Sequence, residues 1–233
     1  MEIQLEKKPS RPVIIEGFPG FGLVGTIATE FLIEHTYAER IGRLESKKIP
    51  AIIAVHKGKI IEPFEIFYSK KYNIVILRAV AIISGFEWEL ADSVLELCNK
   101  LKAKELISIE GVGAELDRGP KVFYLTKDKE KQKKFESCGI KPLREGIVFG
   151  ATASLLSKAK NSSFIFAEAH SELPDSRAAA KIIEALDKYL GLKVDYKPLI
   201  EKAEVFEKRL KELLVKSATQ VKEKAKREAI YVG

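Results

Sequence analysis

Cysteine is scarce in this 233-residue chain, glutamine and asparagine are scarcer than usual, and long apolar runs are missing. The two cysteines, Cys98 and Cys138, stand singly, and the histidines His35, His56 and His170 are scattered. A zinc site needs paired ligands, so the spacing excludes a structural metal. A disulfide is not expected in a reducing compartment. No apolar stretch reaches the ~20 residues of a membrane span. The opening MEIQLEKKPS lacks the apolar segment of a secretory leader, which makes the cytoplasm the expected location. The amides amount to Gln4, Gln132, Gln220, Asn73, Asn99 and Asn161, beside plentiful lysine, glutamate and isoleucine. That balance suits a protein working at high temperature, where amides deaminate and ion-pair networks gain value.

A strong charge of one sign is also missing. Forty Lys and Arg face 33 Asp and Glu, a net +7 spread along the chain. Nucleic-acid binders concentrate such charge on one face and interleave aromatics. The one local excess, Lys216, Lys222, Lys224, Lys226 and Arg227 against Glu223 and Glu228, reads as the solvated face of a helix. Nucleic acid is not an expected partner.

What is present is a rhythm. PVIIEG at 12–17 is a short β-branched run ended by glycine, hence a buried strand. GFPGFG follows, and LVGTIATEFLIEHT at 23–36 has the three-and-four spacing of a helix. RIGRLES, AIIAVHKG, KIIEPFEIFYS and NIVILRAVA read as short strands joined by hairpins, with a lysine-glycine turn at 57–58. GFEWELADSVLELCNKLKA at 85–103 is a helix with Leu90, Val94, Leu97, Cys98 and Leu101 on one face, so Cys98 reads as core. ELISIEGVG at 105–113 is a strand, and 118–136 gives a strand or loop and a short charged helix. REGIVFG, ATASLLSKAK and SSFIFAEAH then repeat strand, helix, strand. RAAAKIIEALDKYLG is a helix that Asp175 caps and Gly191 stops. Strands alternating with helices imply a mixed sheet covered on both faces. No 20–50-residue period repeats, which excludes a solenoid.

The chain divides into a core at 1–196 and a helical tail at 197–233. After Pro198 the apolar residues Leu199, Ala203, Phe206, Leu210 and Leu213 form a coiled-coil-like stripe. A stutter shifts it to Leu214, Ala218, Val221 and Ala225. About 30 helical residues would span roughly 45 Å.

Two constellations could carry chemistry. Gly20-Phe21-Gly22-Leu23-Val24-Gly25 matches the dinucleotide fingerprint G-x-G-x-x-G between a strand and a helix. A nucleotide site needs bare backbone at the helix start, whereas Phe18, Pro19 and Phe21 bring bulk to this turn. Only Glu45 stands where the ribose-binding acid is expected, and Thr26, not lysine, follows Gly25. The reading preferred is a tight structural turn of Gly17, Phe18, Pro19, Gly20, Phe21, Gly22 and Gly25, with the phenylalanines as plugs or subunit contacts. Second, Glu16, Glu110, Asp117 and Glu168 fall at strand ends, with His170 near the last. Ligands bind at the carboxyl ends of strands in such sheets. Glu16, Glu110 and His170 could therefore serve a hydrolase or transferase by acid–base catalysis. No serine elbow or HExxH pattern accompanies them, so solvated or capping carboxylates are preferred.

GFPGFGLVGTIATEFLI resembles the signature of the proteasome assembly chaperone family, in its archaeal and bacterial branch. The likeness continues through EGVGAELD, FGATASLL, FAEAH and LPDSRAAAKIIEALDKYLGLKVD, and covers about residues 10–210. The resemblance implies a phosphorylase/hydrolase-like three-layer α/β core with a mixed sheet, used as a scaffold without known catalytic activity or cofactor. It also implies homo-oligomers that act on proteasome α-subunits. Some members carry a C-terminal hydrophobic–tyrosine–any tripeptide that docks between those subunits. Ile230, Tyr231 and Val232 match it here, but Gly233 follows and displaces the terminal carboxylate by one residue, ~3.5 Å when extended. The resemblance thus implies a non-enzymatic assembly chaperone or activator-like scaffold whose C-terminal helix engages α-subunits or a small adaptor protein.

Overall fold

Val13, Ile14 and Ile15 are β-branched and stiff at χ1, which favours extended backbone. They form the strand at the centre of the molecule. A computed structural model describes residues 1–56, 58–81, 83–113, 120–169, 174–201 and 212. The first half holds β1 (Glu2–Leu5), β2 (Val13–Gly17), α1 (Val24–His35), β3 (Glu39–Glu45), β4 (Ala54–His56), β5 (Lys59–Ile61), β6 (Phe64–Ser69), β7 (Ile74–Ala79) and α2 (Glu87–Leu101). The second holds β8 (Glu105–Gly113), β9 (Val122–Thr126), α3 (Lys129–Ser137), β10 (Lys141–Pro142), α4 (Gly150–Lys158), β11 (Ser162–Ala169), α5 (Ser176–Leu190) and α6 (Lys197–Glu201).

Nine strands form one mixed sheet in the order β1-β3-β6-β7-β2-β8-β11-β9-β10, and β4 and β5 make a separate hairpin. β7, β2, β8 and β11 run parallel, while β1, β3 and β6 pair antiparallel beyond β7. Beyond β11 comes antiparallel β9, with β10 parallel to it.

Strand alternation sends the two sides of β2 into different cores. Ile15 packs with Ile107 and Ile109 under α1 and α5, among Ile27, Phe31, Ile182 and Leu186. Ile14 and Phe18 pack with Leu77, Leu106 and Phe166 under α2 and α4, among Leu90, Val94, Leu97 and Leu155. The result is the three-layer α/β core with a mixed sheet expected from the sequence. Truncating Leu90 or Leu97 to alanine would cost about 2–5 kcal/mol. Cys98 packs half-buried against the same cluster, and burial pushes its thiol up to about 12, the state of an unreactive thiol. α3 joins the other layer through stacked rings, Tyr124 on Phe135 at 4.9 Å and Phe135 on Tyr189 at 4.0 Å.

The expected helix ends are present: Asp175 accepts from the Ala178 N–H at 2.9 Å, and Gly191 ends α5 in the left-handed region at φ 69°. β4 and β5 pair antiparallel with His56 opposite Lys59; Lys57, in the turn expected there, lies outside the described residues.

One expected strand is not there. REGIVFG belongs to no ladder: β10 covers only Lys141–Pro142, and Leu143 makes the last bond, donating to the Tyr124 carbonyl at 2.8 Å. The chain leaves the outer edge of β9 after Leu143, bends at Glu145 and turns into α4 at Gly150, whose φ is 65°. Ile147 and Phe149 end up 76% and 75% exposed. α6 follows α5, and Leu199 is buried in the core. The rest of the expected tail, with Ile230, Tyr231 and Val232, lies outside the described residues, Glu212 aside.

Candidate functional site at the strand ends

β2 stops at Gly17 because its backbone there lies against α1. A Cβ on Gly17 would overlap the Gly25 carbonyl, and one on Gly25 would come 2.5 Å from the Ile109 carbonyl. Strand, turn and helix can close this tightly only with hydrogen at both positions. Pro19 is half-buried and Gly20 exposed. A single 3-10 turn, Phe21–Leu23, then leads into α1, with Gly22 and Leu23 in the left-handed region at φ 59° and 50°. Phe18 is buried and meets Phe64 edge-on at 5.9 Å. Phe21 turns outward across the end of β8. Its carbonyl lies where a Cβ on Gly111 would be, and its ring 3.1 Å from where one on Gly113 would be. The Gly22 carbonyl accepts from the Asp175 N–H at 2.9 Å, which ties the turn to the start of α5.

Beneath this turn lie two of the strand-end carboxylates. Glu16 is 0% exposed and neither of its oxygens has a hydrogen-bond partner. The Ser108 hydroxyl and the Phe18 N–H face it without reaching bonding geometry. Burial pushes its carboxyl up to about 8, the Glu110 charge adds to the shift, and those two donors offset part of it. Glu110 accepts from the Phe21 N–H at 3.1 Å and from the Thr152 hydroxyl, at the start of α4, at 2.7 Å. Burial pushes it up to about 7, opposed by Thr152 and by the Phe21 and Gly111 amides.

The remaining members of the strand-end set do not join them. Glu168 accepts from the Lys121 N–H at 3.1 Å and pairs with the Lys121 ammonium at 3.7 Å. Asp117 and His170 lie outside the described residues. Among the described residues no group of three His, Cys, Asp or Glu could hold a metal, and no helix is long and apolar enough to cross a membrane.

The arrangement has little scope for acid–base work. A catalytic acid must come within hydrogen-bond reach of its substrate, and Glu16 is sealed. Glu110 is bonded on both oxygens. The turn is equally unsuited to pyrophosphate. A Cβ on Gly20 would overlap Glu110 Oε1, so the carboxylate already occupies the space beside the bare glycine backbone. Like charge would repel a phosphate there.

Thr152 was not foreseeable as part of this site, because nothing in ATASLL marks one hydroxyl above its neighbours. Beside the turn opens a cleft of about 710 Å³ lined by Val112, Phe123, Lys141, Leu143, Arg144 and Ile147. No sequence pattern marks it either.

Comparison with known proteins accords with this geometry. The model of a family described as the PAC2 family matches residues 14–214. The crystal structure of PbaA from Pyrococcus furiosus, an archaeal homolog of proteasome-assembly chaperone, superposes with a TM-score of 0.84 at 30% identity. That match covers 94% of this chain and 99% of PbaA. PbaB from the same organism, an archaeal proteasome activator, shares the fold at TM-score 0.76 and 24% identity, over 91% of this chain and 98% of that one. An uncharacterized protein of Methanocaldococcus jannaschii is 29% identical over 226 residues, 95% of this chain and 93% of that protein.

Proposed function

Because the chain belongs to the PAC2 family, we propose that it is a non-enzymatic scaffold of the proteasome-assembly-chaperone type. In this reading it assembles with copies of itself in the cytoplasm. Through the segment 197–233, with Ile230, Tyr231 and Val232 at its end, it engages proteasome α-subunits or a small adaptor protein. The observation that carries the reading is the likeness to PbaA over nearly the full length of both chains. The sealed strand ends support it from the chemical side. Glu16 has no route to a substrate, and the space beside Gly20 is filled by the Glu110 carboxylate.

A scaffold needs surface for its partners, and contiguous exposed apolar groups mark such surface. Val55 and Ile60 face each other across the β4–β5 hairpin and are both exposed, with Ile53 exposed just before it. Ile147 and Phe149 form a second exposed group ahead of α4.

The test is capture of the proteasome α-ring, with native mass measurement of the product, by the full chain and by a chain ending at Ala218. Association lost on truncation supports the tail as the contact. Association retained on truncation moves the contact to the body. No association by either form rejects the α-ring as partner. The enzyme reading has its own discriminator: hydrolase activity of the full chain abolished by Glu110→Gln would replace the scaffold reading.

A further inference from the structure

Dinucleotide-binding turns place glycine where phosphate oxygens must approach the backbone. Gly20 is approached just as closely, but by oxygens of the chain itself, those of Glu110. Oε1 takes the Phe21 N–H and Oε2 the Thr152 hydroxyl, while the Gly111 N–H faces the same group. Thr152 belongs to the first turn of α4, whose N-cap, Phe149, supplies no side-chain acceptor. The carboxylate therefore lies beside the positive end of an uncapped helix. These donors come from three elements far apart in sequence and converge on one acceptor. Glu16 is sealed alongside, with neither of its oxygens hydrogen-bonded.

We propose that the Gly20–Phe21 turn and the first turn of α4 form a small-oxyanion site whose permanent occupant is the Glu110 carboxylate. In the intact protein the site is closed to phosphate, and the carboxylate clips the β2–α1 corner to α4 with no ligand required. Once that carboxylate is removed, the same donors take a free monoanion of similar size, formate or acetate.

The experiment is thermal unfolding of the full-length wild type and of Glu110→Ala, in formate, acetate, phosphate or chloride at matched ionic strength. Anything that binds only the folded state raises its stability in proportion to the logarithm of its concentration. The expected result is a lower Tm for Glu110→Ala that formate or acetate, at tens of millimolar, restores by at least half. Phosphate, being larger and more highly charged, restores less, and the wild type responds to none beyond its response to chloride. If Glu110→Ala does not fold in chloride, refolding in formate reads the same site. Recovery of cooperative, soluble protein in formate alone supports the proposal. Equal shifts in wild type and variant, no shift in either, or failure to fold in every salt overturns it.

Discussion

Arg78 on β7 stands directly opposite Glu65 on β6, and the two form an ion pair with almost no exposure to water. The guanidinium also binds Glu30 of α1 at 2.7 Å and lies over the Phe67 ring at 4.7 Å. Arg40 reaches the other Glu65 oxygen at 3.1 Å and continues to Glu62 and Glu6, and Arg43 joins at Glu62. Removing one partner of a buried pair leaves the other uncompensated, at roughly 3–5 kcal/mol. Arg40 still serves Glu65, so Arg78→Met is expected at about 3 kcal/mol, the low end of that range. Urea unfolding reads the loss, and a loss smaller than about 1 kcal/mol would show that the network, not Arg78, carries Glu65.

Glu16 makes stability fall as pH rises. Its folded-state value of about 8 stands above the ordinary 4.5, so between those limits the folded chain holds a proton that the unfolded chain does not. Unfolding then releases a proton, and raising the pH favours it. This contribution is fully present below about 4.5 and gone above about 8. Glu16→Gln cannot titrate. Between about pH 5 and about 8 the wild type should lose on the order of a few kcal/mol more than the variant. Parallel curves for the two proteins would refute the assignment.

The corner between β2 and α1 tolerates no side chain at two of its glycines. Gly17→Ala and Gly25→Ala each drive a methyl into backbone carbonyl, which cannot swing aside. Neither should give soluble, cooperatively folding protein. Gly58→Ala offers the contrast: no atom lies within 4 Å of the new methyl, but φ is +74°. It should cost about 1 kcal/mol. Soluble yield and Tm separate the two outcomes.

On the scaffold reading, Tyr231→Ala weakens capture of the α-ring at least tenfold, about 1.4 kcal/mol, and leaves the Tm of the body unchanged. A titration of immobilised α-ring with both proteins measures the first effect, and calorimetry the second. Unaltered capture would remove the tail end from the contact.

Elements whose pattern is local could be read directly. VIIE ended by Gly17 gives β2, the stripe through Leu90, Val94, Leu97 and Leu101 gives α2, and the alternation of strand and helix gives the layers. REGIVFG has the composition of a strand, yet β10 pairs with β9 only over Lys141–Pro142 and the chain then bends away, and composition carries no information about pairing. The strand-end site was half visible. That Glu16 and Glu110 come together follows from strands ending at the same side of a sheet. That Glu110 bonds Phe21, 89 residues away, and Thr152, 42 away, depends on the register of β2 on β8 and the seating of α4. Periodicity sets neither.

The position of β2 bears on how the molecule is made. It is the second strand to be synthesised, yet both its neighbours, β7 and β8, are made later, so its ladder with β8 stays open until Ser108 exists. Long-range pairings of this kind fold slowly and leave apolar strands unprotected in the meantime. During synthesis the stretch Val13–Ile15 must wait, exposed, for most of the first half of the chain to emerge from the ribosome.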